Sequence, residues 1–158
     1  MSIFSSFNIN SSGMTAQRLR MDTISENLAN ANTTRTADGE PYRRKVVVFA
    51  EKEQRTEFSR VLKESRARYS GLSSRGNWTG KGVRVDRIAE DNWTQMNVVY
   101  DPANPDADEN GYVTYPNVNT ITEMTNLIDA SRSFEANATA FEASKALATR
   151  GLQLGGGT

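Results

Sequence analysis

The sequence predicts an α+β fold in which long N- and C-terminal helices form a coiled-coil-like core domain beside a small β-rich middle region. Two observations predict it: apolar residues recur at seven-residue spacing near both ends, and short β-branched or alternating segments lie only between them. We therefore divide the chain into an N-terminal helix of the core domain over residues 1–34, a β-rich middle region over 35–116, and a C-terminal helix of the core domain over 117–158.

The N-terminal stripe combines seven-residue spacing with interleaved steps of three and four, which places its members on one helix face. We expect a helix from about Ser11 to about Ala31, with Asn10, Ser11 and Ser12 available as caps. Gln17 occupies one position of the seam that an ideal coiled coil would fill with an apolar residue. The predicted packing residues of this helix are Met14, Met21, Ile24 and Leu28.

The C-terminal stripe has the same spacing and predicts a helix from about Thr120 to about Leu154. Thr120 and Glu123 have the spacing of a capping box, and Pro116 lies upstream, where it cannot interrupt the helix. Two readings of the stripes stay open: two helices packed on a globular core, or a pair that zips together and against neighbouring copies. The predicted packing residues here are Met124, Leu127, Phe134 and Phe141.

Three segments of the middle region are typical of β-strands, namely YRRKVVVFA, GVRVDRIAE and MNVVYD. Turn signals precede, separate and follow them at ADGEP, GNWTGKG and DPANPDADENG. The interval 51–80 is highly charged at its start and rich in Gly and Ser at its end, which we interpret as a polar insertion. Within it, EFSRVLKESRARYSGL has a composition that is compatible with a short helix.

The composition argues against an enzyme and against any cofactor. The chain has no cysteine and no histidine, which removes thiolate chemistry, the usual general base and the commonest metal ligand.

The longest strongly apolar run, Val46 to Ala50, is far too short to span a bilayer. The N-terminus lacks the basic and apolar blocks of a cleavable secretory signal. We expect a protein that does not span the membrane.

Charge is divided between the two halves of the chain although its net value is zero. Residues 1–88 carry 16 Lys/Arg against 9 Asp/Glu, whereas residues 89–158 carry 3 against 10. This division is compatible with a surface for nucleic acid or another anion, with subunits that meet basic part to acidic part, or with an ordinary solvated surface.

The basic residues give a weak case for nucleic acid, and we expect no such partner. Arg43, Arg44 and Lys45 form one cluster, and a further run passes through Arg66 and Arg68. Two aromatic residues suited to base stacking accompany them, Tyr69 and Trp78. No nucleic-acid fold signature is present beside these residues.

One segment resembles a calcium-binding loop, and we predict that it is an acidic turn instead. DADENG, from Asp106 to Gly111, matches the opening of the loop. Position twelve should be a bidentate Glu but is Asn117, and Pro105 and Pro116 occupy the places where helices should enter and leave. We therefore expect no metal site.

Several motifs together resemble one known family. The run SGMTAQRLRMDTISENLANANTT resembles the N-terminal signature of flagellar axial proteins, the rod, hook and hook-associated group. PYRRKVVVF, YDPANPDADENGYVTYPNVN and EMTNLIDASRSFEANATAFEASKAL follow in the order found in the proximal rod members of this group. The resemblance spans about residues 9–152, and the interval 51–80 is longer than the middle that such proteins usually require.

The resemblance implies a non-enzymatic structural protein of the bacterial flagellum basal body. In this family the terminal helices associate, and subunits stack helically into a hollow rod that transmits torque and lets exported subunits pass. The implied partners are copies of the chain itself, other rod proteins including a rod-base adaptor, and the flagellar type III export apparatus, with the rod in the periplasm. The implied assembly motif, carried over residue by residue, is Asn27, Leu28, Ala29, Asn30, Phe134, Glu135, Ala136 and Asn137.

The asparagines of SENLANANTT also have a direct physical interpretation. Asn27, Asn30 and Asn32 are able to bond backbone groups that a helix leaves unpaired as it ends, and small residues such as Ala29 permit close helix approach. We expect this segment to end the first helix at a subunit contact. The alternatives for the whole chain are a coiled-coil scaffold or adaptor outside the flagellum and, with less support, a nucleic-acid-binding module.

Overall fold

The computed structural model describes residues 3–52, 65 and 80–155, with side chains from Ser5 onward. These residues form two long helices and two small antiparallel sheets, which confirms the predicted α+β fold. In chain order the elements are α1 (Ile3–Ala29), β1 (Lys45–Glu51), β2 (Val83–Glu90), β3 (Asn97–Tyr100), β4 (Tyr112–Tyr115) and α2 (Thr120–Gly155).

The two helices pack against each other in antiparallel orientation. The amide of Asn27, near the end of α1, bonds the carboxylate of Glu123, in the first turn of α2. At the other end, the rings of Phe7 and Phe141 stack with centroids 5.0 Å apart. Buried alanines, such as Ala130, let the helix backbones approach closely between these points.

The predicted packing residues of both helices, with one exception, are at least partly shielded from solvent. Ile24 is buried, and most of the other predicted packing residues are half-buried. Met124 is the departure, because 57% of its surface is exposed. It follows Glu123, which points into the interface, and one residue turns a helix by about 100°, so Met124 lies on the outer face with Ile121 and Ile128.

The helix α1 begins at Ile3, so the predicted start near Ser11 is wrong. The hydroxyl of Ser12 donates to the Ile9 carbonyl at 2.7 Å and accepts the backbone N–H of Val83 at 3.1 Å. Ser12, which resembled a helix cap in the sequence, therefore lies within α1 and binds the first residue of β2.

Strands β1 and β2 form a two-stranded ribbon that packs along α1. Pairing runs from Lys45 opposite Glu90 to Glu51 opposite Val83, and a β-bulge after Val48 leaves Asp86 without a strand partner. Because α1 contacts both the ribbon and α2, it is the middle layer of this part of the molecule.

Gly82 makes the approach of the ribbon to α1 possible. Its φ angle is +98°, and a Cβ atom there would lie 2.2 Å from the Ser12 hydroxyl. Any other residue at this position would be strained and would also clash with the helix.

The second sheet is a short hairpin formed by β3 and β4, with Asn97 opposite Tyr115 and Tyr100 opposite Tyr112. All three predicted strand segments contain strands, but β1 begins later than predicted. The backbone N–H groups of Tyr42 and Arg44 donate to the Thr33 carbonyl and the Asn117 side chain instead of to a neighbouring strand. Strand β4 has no counterpart among the predicted strands. The segment predicted as a polar insertion lies outside the described residues except at 51–52, 65 and 80.

The helix α2 begins at Thr120 as predicted, but its cap is a different residue. The Asn119 carboxamide oxygen accepts the N–H groups of Ile121 and Thr122 at 3.0 and 3.1 Å. Asn119 is thus the N-cap in place of Thr120, and the Glu123 N–H donates to the Asn119 backbone carbonyl at 2.9 Å. The Glu123 carboxylate is thereby available for contacts outside its own helix.

A substitution at Gly13 tests the close packing of the helices. A Cβ atom at Gly13 would lie 2.8 Å from the side-chain oxygen of Asn137, so Gly13→Leu should overpack the interface and lower the free energy of unfolding by about 1–2 kcal/mol. The matched control is Gly151→Leu, because nothing lies within 4 Å of that Cβ position. Urea unfolding monitored by circular dichroism measures both, and equal effects would contradict the assigned helix interface.

Candidate functional site where the helices meet the ribbon

Asn27 is fully buried and makes four hydrogen bonds, although it belongs to the SENLANANTT segment that resembled a polar helix end. Its amide pairs with the backbone of Lys45, donating to the carbonyl at 2.8 Å and accepting the N–H at 2.9 Å. It also donates to Glu123 and accepts the hydroxyl hydrogen of Tyr42, both at 3.0 Å. Asn27 thus bonds the strand β1 and the helix α2, rather than the unpaired backbone of its own helix end.

Glu123 is the second member of this buried cluster, and its surface is also 0% exposed. One carboxylate oxygen accepts from Asn27, and the other accepts from the Arg44 guanidinium through Nε at 2.9 Å and Nη2 at 2.7 Å. The side chain of Asn126 donates to the same oxygen at 3.3 Å. The position of Glu123 in the first turn of α2 also places its negative charge near the positive end of the helix dipole.

Arg44 links this carboxylate to a turn that follows β2. Its Nη1 lies 3.4 Å from Asp91, while its backbone carbonyl accepts the Asp91 N–H at 2.8 Å. The Asp91 carboxylate accepts the backbone N–H and hydroxyl of Thr94 and the N–H of Trp93. These bonds, led by those from Thr94 and supported by Arg44, lower the pKa of Asp91.

Asn117 completes the cluster from the other side. Its side-chain oxygen accepts the Arg44 backbone N–H at 2.9 Å, and its amide donates to the carbonyls of Asp91 and Thr94. This residue occupies the position that a calcium-binding loop would give to a metal-ligating Glu. In this structure it joins the start of β1, the turn after β2 and the approach to α2.

Tyr42 is shielded from solvent by the same packing. Burial, with smaller contributions from the charges of Glu26, Glu123 and Glu90, raises the pKa of Tyr42 to about 12. Its hydroxyl therefore stays protonated and keeps donating to Asn27 over the physiological pH range.

The chemistry of this cluster is structural. A buried carboxylate that accepts from a guanidinium and two carboxamides has its charge balanced and its lone pairs occupied, and no candidate nucleophile is among its partners. Its members come from α1, from the chain before β1, from the turn after β2 and from the start of α2. The cluster therefore fixes the positions of these segments relative to one another.

The structure separates the residues of the predicted assembly motif into internal and external ones. Asn27 is internal, as described. Ala29, Glu135 and Ala136 are exposed. The remaining members, which are partly exposed, are Leu28, Asn30, Phe134 and Asn137.

The two other asparagines of the predicted motif bond backbone carbonyls of their own helices. The Asn30 amide donates at 3.0 Å to the Glu26 carbonyl, which also accepts the backbone N–H of Asn30 at 3.1 Å and is therefore not unpaired without it. The Asn137 amide donates to the Ser133 carbonyl at 2.8 Å and lies against Gly13.

The other candidate sites are occupied by contacts within the chain. Arg43 bonds Asn92, and Lys45 pairs with Glu26, so with Arg44 the whole first basic cluster is engaged internally. The second basic run and its two aromatic residues lie outside the described residues.

The acidic loop acts as a turn. Asp106 accepts the Thr34 hydroxyl hydrogen at 2.7 Å, and Asp108 accepts the N–H groups of Asn110 and Tyr112. In the described part of the chain, no group of three or more carboxylates is placed to hold a metal ion.

The members of the cluster other than Asn27 were not identified as site residues from the sequence. A signal was present for Glu123, because it stands four residues before Leu127 and one turn from the apolar stripe of α2. An acidic residue on the inward side of a helix requires a positively charged partner. The spacing of Glu123 from Thr120 instead suggested a capping box, which explained the residue without such a partner.

Comparison with known proteins identifies the family. Residues 7–35 match the family described as Flagella basal body rod protein, and residues 109–154 match the family described as Flagellar basal body rod FlgEFG protein C-terminal. The chain is 45% identical to the flagellar basal-body rod protein FlgC of Bacillus subtilis, over 98% of this chain and 99% of the relative. The chain belongs to the FlgC family.

Other members of the FlgC family match over similar lengths. Identity is 42% to the protein of Borreliella burgdorferi over 93% of each chain, and 36% to that of Salmonella typhimurium over 98% of this chain and 99% of the relative. The two matched family segments contain Asn27 in the first and Asn117 and Glu123 in the second. In the described residues of this FlgC-family chain, neither helix has a stretch apolar enough to cross a bilayer.

Removing the Glu123 carboxylate should destabilise the fold strongly. Glu123→Ala leaves the Arg44 guanidinium and the Asn27 amide without their partner, and we expect a loss of about 3 kcal/mol in the free energy of unfolding. Glu142→Ala, an exposed position on the same helix, should change it by less than about 0.5 kcal/mol. Chemical denaturation distinguishes them, and a Glu123 variant as stable as the Glu142 variant would contradict the role assigned to the cluster.

The raised pKa of Tyr42 predicts a stability change in alkaline solution. Between the ordinary tyrosine pKa of 10 and the folded value of about 12, the unfolded chain releases a proton that the folded chain retains. Stability should be unaffected by this group below pH 10 and should fall as the pH rises through that window. Tyrosinate absorbance should show one late titration that Tyr42→Phe removes and Tyr100→Phe retains; its persistence in Tyr42→Phe would refute the assignment.

Proposed function

We propose that this chain is a structural, non-enzymatic subunit of the proximal rod of the bacterial flagellar basal body. The single observation that carries the proposal is the similarity to proteins named flagellar basal-body rod protein FlgC over nearly the full chain. The helix pair supports it, because two long terminal helices leave apolar surface available for neighbouring subunits.

The outer surface of α2 is the strongest physical support for assembly. Ile121, Met124 and Ile128 follow a spacing of three and four, which aligns them on one helix face, and more than half of each is exposed. Near the other end of the helix, Leu147, Leu152 and Leu154 are also largely exposed. Aligned apolar side chains of this size are typical of surfaces that become buried against a partner.

We assign these surfaces to copies of the chain and to other rod proteins. The exposed members of the predicted motif, Ala29, Glu135 and Ala136, lie on the same pair of helices and are proposed to contact neighbours. The half-buried seam around Met21, Leu127 and Phe134 gains further burial in the polymer. In this proposal Asn27 acts indirectly, by fixing the end of α1 that carries Ala29.

The proposed mechanism is mechanical. Subunits polymerise helically into a hollow shaft that transmits torque and lets exported components pass. The chain reaches the periplasmic rod through the flagellar type III export apparatus. The buried polar cluster suits this role because it resists relative movement of α1, α2 and the ribbon under load.

Deleting the gene in a motile host tests the function. We expect loss of swimming and restoration by the intact gene, and mass spectrometry should detect the chain in purified hook-basal bodies. Normal swimming after deletion, together with absence of the chain from those particles, would favour a scaffold or adaptor outside the flagellum.

A single substitution tests the assembly surface in the same strain. Ile128→Asp places a charge on the outer face of α2 and should abolish swimming, while the melting temperature of the purified chain stays within a few degrees. Ile128→Leu keeps the surface apolar and should restore swimming. Full swimming with Ile128→Asp would exclude this face from assembly.

A further inference from the structure

We propose that the acidic hairpin of one copy binds the basic ribbon of a second copy, head to tail. The acidic hairpin comprises residues 91–119, including β3 and β4, and the basic ribbon comprises residues 43–52 and 80–90, including β1 and β2. The proposal rests on the proposed function in one respect, since it names one contact between subunits of the rod.

Much of the charge division of the sequence lies between these two β elements, and residues 53–79 carry a further six Lys/Arg against three Asp/Glu. The acidic hairpin carries five Asp/Glu and no Lys/Arg, whereas the basic ribbon carries seven Lys/Arg against three Asp/Glu. Three of the seven, Arg43, Arg44 and Lys45, are engaged within the subunit, so the outward charge of the ribbon comes from the others. The helical ends are nearly balanced, because residues 1–42 and residues 120–158 each carry three Lys/Arg against four Asp/Glu. Opposite charge of this kind favours encounter between the two surfaces.

The acidic hairpin also has an apolar outward face. Val98, Tyr100 and Tyr112 share one side of the strands and are 58%, 64% and 46% exposed, whereas Val113, on the opposite side, is buried. The rings of Tyr100 and Tyr112 contact edge to face with centroids 5.3 Å apart. Exposed aromatic side chains of this kind are enriched at the centres of protein interfaces.

The basic ribbon presents a matching surface. Arg84 and Arg87 have exposed side chains and both pair with Asp86, at 3.1 and 3.5 Å, where the β-bulge lies. One carboxylate shared by two guanidinium groups leaves a net positive charge. The neighbouring Ile88, which is 47% exposed, supplies apolar surface beside it.

The position of the two elements favours a second copy as the occupant. The acidic hairpin is attached near the C-terminal end of α1, through the bond from Thr34 to Asp106. The basic ribbon runs along α1 from its contact with Asn27 to its contact with Ser12. The end of the ribbon at Ser12 therefore lies roughly 20 Å along the helix from the attachment of the acidic hairpin. Surfaces at different places on one subunit meet by a heterologous contact, which repeats into an open assembly.

The contact is expected to be weak for one pair of subunits and sensitive to salt. Exposed ion pairs contribute roughly 0–1 kcal/mol each, and salt screens them over about 10 Å at 0.1 M. Repetition along an assembly, rather than the strength of one contact, then gives the interaction its effect.

Cross-linking tests the proposal on the full chain, which lacks cysteine and therefore forms only engineered disulfides. An equimolar mixture of Arg84→Cys and Glu109→Cys should form disulfide-linked dimers at least several-fold faster than Arg84→Cys mixed with Glu142→Cys, an exposed control on α2. The rate should rise with protein concentration and fall with added salt. Equal rates for the two mixtures, or a rate unaffected by salt, would overturn the proposal.

A charge-reversal pair provides the second readout. Arg84→Glu with Arg87→Glu in one chain, and Asp108→Lys with Glu109→Lys in another, should each lower low-salt self-association in sedimentation, and their mixture should restore it. Failure of the mixture to restore association would overturn the proposal, as would a concentration-independent internal disulfide in an Arg84→Cys, Glu109→Cys double variant. Swimming after gene deletion separately tests the rod function, so the two failures are distinguishable.

Discussion

The fully buried carboxylate of Glu123 is the constraint on which the arrangement of this protein depends. An unpaired charge in that position would cost several kcal/mol, and the fold meets this requirement with donors from Asn27, Arg44 and Asn126. Two of those donors are distant in the sequence. Satisfying one carboxylate therefore requires α1, α2 and the chain that enters β1 to take their places together.

This requirement is important because the apolar core is small. The buried apolar residues of the described chain include two alanines, and much of the helical stripe is only half-buried. Half-buried stripes tolerate sliding of one helix along the other, since neighbouring registers bury similar area. The bonds from Asn27 to Glu123 and to both backbone groups of Lys45 are directional, so they distinguish one register from the next. The register of the two helices thus depends on polar contacts more than on buried apolar area.

The sequence predicted those features that depend on local spacing. Repeats of seven identified both helices, and short β-branched or alternating segments identified three strands. It did not predict contacts between distant residues: Ser12 bonds Val83, and Glu123 bonds Asn27, 96 positions away. In both cases a local explanation, a helix cap, was available and wrong, because the side chain satisfied a distant group instead. The short strand β4, which directly follows the DPANPDADENG turn, was not predicted from the sequence.

The internal cluster and the exposed surfaces have complementary consequences for a subunit that works in a polymer. Polar bonds inside the subunit resist distortion because they depend on direction as well as distance, whereas the hydrophobic effect is non-directional. A shaft that carries load needs rigid subunits, yet those subunits must leave apolar surface available until they meet. Placing Glu123 inward and Met124 outward at successive positions of α2 meets both needs with one helix, because about 100° of rotation separates the internal polar cluster from the outer apolar face.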